Sequence, residues 1–240
     1  MQAPEKNLAF DLVRVTESAA LSAARWLGKG DKEAGDGAAV DAMRLSFNSL
    51  GIQGTVIIGE GAKDKAPMLY NGETVGDGDG PVVDVAVDPV EGTRLLANGR
   101  PNAISVIGVC SGGHMYNPGP SYYMQKLVVG HAARNVIDLD APVRDNLTNI
   151  AKAIGKDVND LVVFVLDKPR HEKLIQEIRA TGARIQLHTD GDVAGALMVA
   201  DPRTDVDVMM GTGGTPEGVI AACAIKGVGG QMLCRLDPQS

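Results

Sequence analysis

The sequence predicts an α/β protein built in layers, with two domains and the functional site between them. Three observations carry this expectation. Two amphipathic helical patterns open the chain and β-branched apolar runs follow them. From Pro142 onward, apolar strands and helical segments alternate at the spacing of parallel βα units. Several of these strands end in glycine and acidic residues, and open α/β sheets bind ligands at such strand ends.

In chain order, Leu8, Leu12, Val15, Ala19 and Trp26 recur at near-helical spacing, so residues 7–27 read as a helix that Gly28 and Gly30 stop. Residues 30–37 are polar and punctuated by glycine, which predicts a loop. A second helix is expected over 38–50, with Val40, Met43, Phe47 and Leu50 on one face. The β-branched run 54–58 reads as a strand ending at Glu60. Residues 82–87 form another, short and largely buried, which should stop at Asp88-Pro89 because proline lacks a donor and drives Asp88 extended. Strands are also expected over 103–109 and 125–129, with a turn at Asn117-Pro118-Gly119-Pro120 between them. Then follow a helix over 146–154, a strand over 161–166, a helix over 170–180 and a strand over 183–187. A helix over 193–199, a strand over 205–210 and a helix over 216–225 complete the series. The change of rhythm places a domain boundary near residue 142, giving domains 1–142 and 143–240.

Composition narrows the function. A chain of 240 residues, 44% hydrophobic and 22% charged, can bury a real core. Its net charge of −7, the absence of any basic run and only 3% aromatic residues argue against nucleic acid as a partner. A negative protein that takes an anionic ligand needs a local cation, either a metal or Lys/Arg. Cys110, Cys223 and Cys234 are odd in number and lack CxxC spacing, so they read as reduced thiols of a cytoplasmic protein. No secretory signal opens the chain and no apolar run approaches membrane-spanning length, so no membrane association is expected.

The chemistry concentrates in the acidic loops. Asp88 and Glu91, with the hydroxyl of Thr93, crowd the mouth of one strand, and hard oxygen donors there suit Mg²⁺ or Mn²⁺. Gly59-Glu60-Gly61, Asp190-Gly191-Asp192 and the segment from Gly211 to Glu217 have the same layout, and Asp36 stands at the start of the second helix. Local roles compete: a cap for Asp36, an exposed strand end for Glu60, turn and cap roles for Asp190 and Asp192, a dipole partner for Glu217. The number of such loops favours a shared site. Gly213-Gly214 before a helix could cradle a phosphate, although the lysine and hydroxyl of a P-loop are missing. Lys168-Pro169-Arg170 at a helix start could clamp a phosphate, since cations there oppose the helix dipole unless an anion joins them. His171 reads as structural or surface. No zinc pattern, nucleophile elbow or Cys–His nucleophile is present.

Asp88-Pro89-Val90-Glu91-Gly92-Thr93 resembles the metal signature of the lithium-sensitive phosphatase superfamily, which includes inositol monophosphatases and fructose bisphosphatases. Further segments are similar to the bacterial class II fructose-1,6-bisphosphatases: Gly30-Asp31-Lys32, Ala38 to Arg44, Ile58-Gly59-Glu60-Gly61, Lys168 to His171, Asp190-Gly191-Asp192 and Gly213 to Gly218. The resemblance runs from about Asn7 to Leu236 and implies an α/β sandwich of the sugar phosphatase type.

It also implies metal ligation by Asp36, Glu60, Asp88, Glu91 and Glu217 in the first-domain loops and the start of the last helix, with Mg²⁺ or Mn²⁺ as cofactor. Substrate contacts are implied for Glu91, Gly92, Thr93, Tyr123, Lys168, Pro169, Arg170, Asp190, Gly191, Asp192 and Gly214, with Tyr122 a rival for Tyr123. Thr93, with Asp64, looks like the pair that positions and deprotonates the attacking water. The implied reaction is hydrolysis of fructose 1,6-bisphosphate to fructose 6-phosphate and phosphate, by a cytoplasmic homo-oligomer, a dimer or tetramer. The first domain would bind metal and the second, possibly incomplete, the substrate. Two departures from the family pattern stand out. Ala62 replaces the second glutamate of a Gly-Glu-Gly-Glu pattern, and the family continues past Leu236. A broader bisphosphatase that also takes sedoheptulose 1,7-bisphosphate, an inositol-phosphate-type enzyme and a catalytically impaired sugar-phosphate-binding homologue are the other readings.

Overall fold

The computed structural model describes residues 7–61 and 68–237. The chain divides into two compact units, residues 1–117 and 118–240. The break precedes residue 142 because the strand from Tyr123 to Val129 pairs with strands near the C-terminus.

In the first unit, helix α1 (Leu8–Ala24) is capped by the Asn7 side chain, which accepts from the Ala9 N–H at 3.1 Å. Helix α2 (Lys32–Phe47) begins well before the predicted start, inside the segment expected to be a loop. The cause is Asp31, whose carboxylate accepts from the Ala34 N–H at 3.0 Å and caps the helix there. Gly35 does not break the helix but lets it pack closely, for a Cβ at Gly35 would stand 2.8 Å from Leu96 Cδ2. Strands β1 (Gln53–Ile58), β2 (Thr74–Val75) and β3 (Val82–Glu91) follow, then helix α3 (Thr93–Ala97) and strand β4 (Ile104–Ser111). The sheet order is β2-β1-β3-β4, with β1 and β3 parallel and the other pairs antiparallel. Its core joins Val15, Ala19 and Ala23 of α1, Met43 and Phe47 of α2, and Val56, Val83, Val85 and Val87 of the sheet. Strand β3 continues through Pro89 rather than stopping there. Its register with β4 shifts between Asp88 and Glu91, and this bulge accommodates the missing proline N–H.

The second unit is a five-stranded sheet between two helical layers. Its elements are β5 (Tyr123–Val129), α4 (Val143–Ile154), β6 (Val162–Leu166), α5 (Glu172–Arg179), β7 (Arg184–His188), α6 (Asp192–Ala200), β8 (Val208–Gly214), α7 (Thr215–Gly227) and β9 (Gln231–Leu236). The sheet order is β7-β6-β8-β5-β9. Strands β6, β7 and β8 are parallel, as the rhythm predicted, whereas β5 runs antiparallel to both β8 and β9. Alternation within β6 decides the layers. Val163 and Val165 pack with Leu147, Ile150, Ile175 and Ile178 of α4 and α5. Val162, Phe164 and Leu166 pack with Ala196, Val199, Ala221 and Ile225 of α6 and α7. This is the α/β sandwich architecture expected. Among the described residues Cys110, Cys223 and Cys234 form no disulfide. Among the described residues no helix is long and apolar enough to cross a membrane.

Candidate active site

In the first unit the predicted acidic residues emerge at one sheet edge. Strands β1 and β3 are adjacent and parallel, with Ile58 opposite Ala86, so Glu60, just past the end of β1, and Asp88 to Glu91, the last residues of β3, lie at the same end of the sheet. Asp36 lies in the first turns of α2, where its neighbour Gly35 packs on Leu96 of α3, the helix that follows Glu91. Asp36 is half-buried. Burial, followed by the nearby charge of Glu33, raises its pKa, while Lys32 opposes the shift. Glu60 is held by its backbone: its N–H donates to the Leu69 carbonyl at 2.9 Å, and the Gly59 N–H donates to Asn71 Oδ1 at 2.9 Å. A Cβ at Gly59 would stand 2.0 Å from the Leu69 carbonyl oxygen, so only glycine fits. The segment 69–73 is braced in turn by Glu73, a buried carboxylate that accepts from Arg44 Nε at 2.6 Å and from the Tyr70 N–H at 3.3 Å.

Asp88 Oδ1 accepts from the Val90 N–H at 3.0 Å, a local turn that carries the chain over Pro89. Glu91 is buried at the end of β3. Gly92 then takes a left-handed φ of 83° and opens α3, placing Thr93 at its first position. Asp64, the predicted partner of Thr93, and Ala62 lie outside the described residues. Sequence reasoning passed over Asp84, whose buried carboxylate has a lowered pKa. Burial is the largest influence and raises it, but backbone N–H groups of Met115, Gly113 and His114 outweigh that together.

The second unit gathers its predicted residues in the same way. The parallel strands β6, β7 and β8 end at one edge, and after them come Lys168 to His171, Asp190 to Asp192, and Thr215 to Glu217. Antiparallel β5 begins at that edge, with Tyr123 opposite Gly214. Arg170 is fixed there: Nε donates to the Thr212 carbonyl at 2.8 Å, and the guanidinium lies 5.2 Å from the centre of the Tyr123 ring. Tyr122, the rival, is 79% exposed. Lys168 is half-exposed and precedes a short 3-10 turn over Pro169–His171. Gly191 takes a φ of 95° and hands the chain to α6, with Asp192 buried at the first position.

The segment Gly211 to Gly214 is not a loop. It is the end of β8, paired along β5, so the expected outward-facing phosphate cradle takes the form of a strand. Its glycines make room for side chains that cross it. A Cβ at Gly213 would stand 2.0 Å from Asp192 Oδ2, and one at Gly214 would stand 1.8 Å from Glu217 Oε2. Glu217 Oε2 is buried and has no hydrogen-bond partner among the described residues. Burial, and then the charge of Asp192, raises the Glu217 pKa, with Lys126 opposing. A buried carboxylate oxygen left without a donor fits a ligand that is itself a cation. A carboxylate oxygen is a donor of the kind that a hard divalent ion takes. Among the described residues no three of His, Cys, Asp or Glu stand close enough to form a complete metal cage.

One residue was not anticipated, and a second takes the structural of the two roles read for it. Lys126, only 1% exposed in the middle of β5, ion-pairs with Asp192. The one sequence signal was a lysine inside an apolar run. His171, read as structural or surface, is buried, with Nδ1 2.7 Å from the Leu166 carbonyl and Nε2 accepting from the Thr212 N–H at 2.8 Å. Arg170, His171 and Thr212 also border a cleft of about 360 Å³ that includes Gln125, Asn146 and Glu177 but neither Asp192 nor Glu217.

The acidic strand ends and the adjoining cation pair define a class, the α/β hydrolases of phosphorylated small molecules. A family model described as bacterial fructose-1,6-bisphosphatase, glpX-encoded, matches residues 6–240. The chain is 50% identical over 231 residues to fructose-1,6-bisphosphatase 1 class 2 of Escherichia coli K12, covering 96% of this chain and 68% of that protein. The class 2 fructose-1,6-bisphosphatase of Shigella flexneri matches with the same identity and coverage. The chain therefore belongs to the glpX-type bacterial fructose-1,6-bisphosphatases.

Proposed function

We propose that this chain hydrolyses fructose 1,6-bisphosphate to fructose 6-phosphate and phosphate, as a metal-dependent enzyme of gluconeogenesis. The observation that carries the reading is one sheet edge of the second unit, where Tyr123, Arg170, Asp192 and Glu217 meet in a chain half identical to class 2 fructose-1,6-bisphosphatases. Asp36, Glu60, Asp88, Glu91 and Glu217 are the residues that would hold Mg²⁺ or Mn²⁺. When bound, these ions offset the charge of the phosphate oxygens and so lower the barrier of a reaction that is very slow uncatalysed.

The chain's own residues supply position. Arg170, with Nε committed to Thr212, keeps its terminal nitrogens for the phosphate that is not cleaved, and Lys168 adds a second charge. Pro169 sets the angle between those two cations. Asp190 and Asp192, separated by Gly191, accept hydrogen bonds from sugar hydroxyls. Gly214 admits the substrate close to the backbone, and Tyr123 supports Arg170 from below. Glu91, Gly92 and Thr93 face the phosphate to be cleaved, and the Thr93 hydroxyl orients the attacking water. Asp64 would take the proton. We place the protein in the cytoplasm as a homo-oligomer, a dimer or tetramer, of the lithium-sensitive superfamily, with the metal ligands mainly in the first domain and the substrate contacts mainly in the second.

A phosphate-release assay on fructose 1,6-bisphosphate, with and without a chelator, tests the reading. Release should stop on full chelation and return with added Mn²⁺ or Mg²⁺. Release that survives chelation overturns the metal role, and no release under saturating Mn²⁺ overturns the enzyme.

A further inference from the structure

We infer that Lys126 is a positioning residue of the substrate site, its buried ammonium clamping Asp192 and balancing the paired carboxylates of Asp192 and Glu217. This rests on the proposed function above, because it gives Asp192 its work. Lys126 lies in the middle of the sheet, between β8 and β9, and ion-pairs with Asp192 Oδ2. The side chain is 1% exposed and cannot touch a substrate directly.

The surroundings are shaped to admit it. A Cβ at Gly213 would stand 3.1 Å from Lys126 Nζ, and one at Gly218 would stand 3.1 Å from its Cε. Two glycines on successive elements thus leave a passage for one lysine side chain from β5 toward the start of α6. The sheet itself gains nothing that an apolar residue of the same length would not give, since buried ion pairs are rarely more stabilising than hydrophobic replacements. The need is local. Asp192 and the unpartnered oxygen of Glu217 fill the Cβ positions of two adjacent glycines, Gly213 and Gly214, and two buried carboxylates so placed repel each other. Lys126 holds Asp192 by a direct hydrogen bond, and its ammonium, 3.1 Å from where a Cβ at Gly213 would stand, lies beside the strand position next to the one that Glu217 crosses. It engages Oδ2 of Asp192, so Oδ1 is the oxygen offered to a sugar hydroxyl. Asp192 sits directly after a left-handed glycine at the first position of α6, and the lysine fixes its rotamer.

The test is steady-state kinetics on fructose 1,6-bisphosphate with saturating Mn²⁺, using the full chain and Lys126→Met, Lys126→Arg, Asp192→Asn and the Lys126→Met/Asp192→Asn double variant. Circular dichroism and a cooperative melt establish folding for each. Folded Lys126→Met should raise KM roughly 10- to 100-fold, the usual loss when the support of a site residue is removed, with a smaller change in kcat. The double variant should have a KM no worse than Asp192→Asn alone, because Lys126 acts through Asp192. Lys126→Arg should recover part of the loss. Folded Lys126→Met with the wild-type KM overturns the inference, as does a double variant whose KM is the product of the two single effects. Where Lys126→Met fails to fold, the double variant decides: it removes both members of the buried ion pair together, and a KM far above that of Asp192→Asn sinks the idea. A wild-type chain that releases no phosphate overturns the proposed function instead, and that control is read before any variant.

Discussion

His171 ties the end of β6 to the middle of β8 with both ring nitrogens, a pairing that only the neutral ring can make. A proton on Nε2 would remove the acceptor that the Thr212 N–H requires. Burial is the main reason its pKa lies below the usual 6.5, with the charges of Arg170 and Lys168 pushing the same way. The sign for stability follows directly. Between the lowered folded pKa and 6.5 the unfolded chain binds more protons, so this stabilisation is complete above 6.5 and lost as pH falls. His188, half-buried and stacked on Phe164 with ring centres 4.3 Å apart, adds an effect of the same sign. The melting temperature should therefore drop as pH is lowered from about 7.5 to about 5.5, and His171→Gln should reduce that slope. An unchanged slope in the variant would remove His171 as its source. Residue types like this are hard to read in a sequence. A histidine after a strand and a lysine within one carry no periodicity, and only their burial and partners distinguish them from surface groups.

At the level of the element, the turn at 69–73 is the support on which the Glu60 loop rests, and Arg44 on α2 holds that turn through Glu73. Removing the guanidinium leaves a buried carboxylate with one weak backbone donor, which costs about 1–3 kcal/mol. Arg44→Met should lower stability by that order in urea unfolding and weaken Mn²⁺ binding measured by calorimetry, whereas Arg44→Lys should restore part of both. Retained stability and affinity in Arg44→Met would mean that the brace carries nothing. Elements were legible where their side chains alternate or recur, as in β6, α4 and the buried face of α1. They were not where glycine dominates. Gly211 to Gly214 looks like a turn because three of its four residues are glycine and only Thr212 carries a side chain, yet it is strand, its bare positions filled by Asp192 and Glu217. The loop expected over 30–37 failed for a similar reason. Glycine and charge suggested disorder of the pattern, while a single Asp31 cap and the close approach of Gly35 to Leu96 made it helix.

For the whole molecule, the two sheets present acidic residues at their strand ends, and the net charge of −7 adds to the repulsion that a divalent ion would relieve. An ion that binds the folded chain and not the unfolded one stabilises by mass action, about 2.7 kcal/mol at a hundredfold excess over Kd. Added Mn²⁺ should thus raise the melting temperature in a concentration-dependent way, and Glu217→Gln should shrink the rise. A variant whose melting temperature responds to Mn²⁺ like the wild type would exclude Glu217 from the ligand set. The layered architecture and the acidic strand ends were visible at this scale in the sequence alone, since both follow from the order of elements. The mixed direction of the second sheet was not, because nothing local to β5 announces that its partners lie far along the chain.

The placement of β5 also has a bearing on how the protein is made. Emerging from the ribosome first among the strands of its sheet, it occupies the seat between β8 and β9, both translated after it. Its backbone must wait, and a chaperone has most reason to attend during that interval, when the ribbon from Met124 to Val129, apolar but for Gln125 and Lys126, has left the tunnel with no neighbours to pair with.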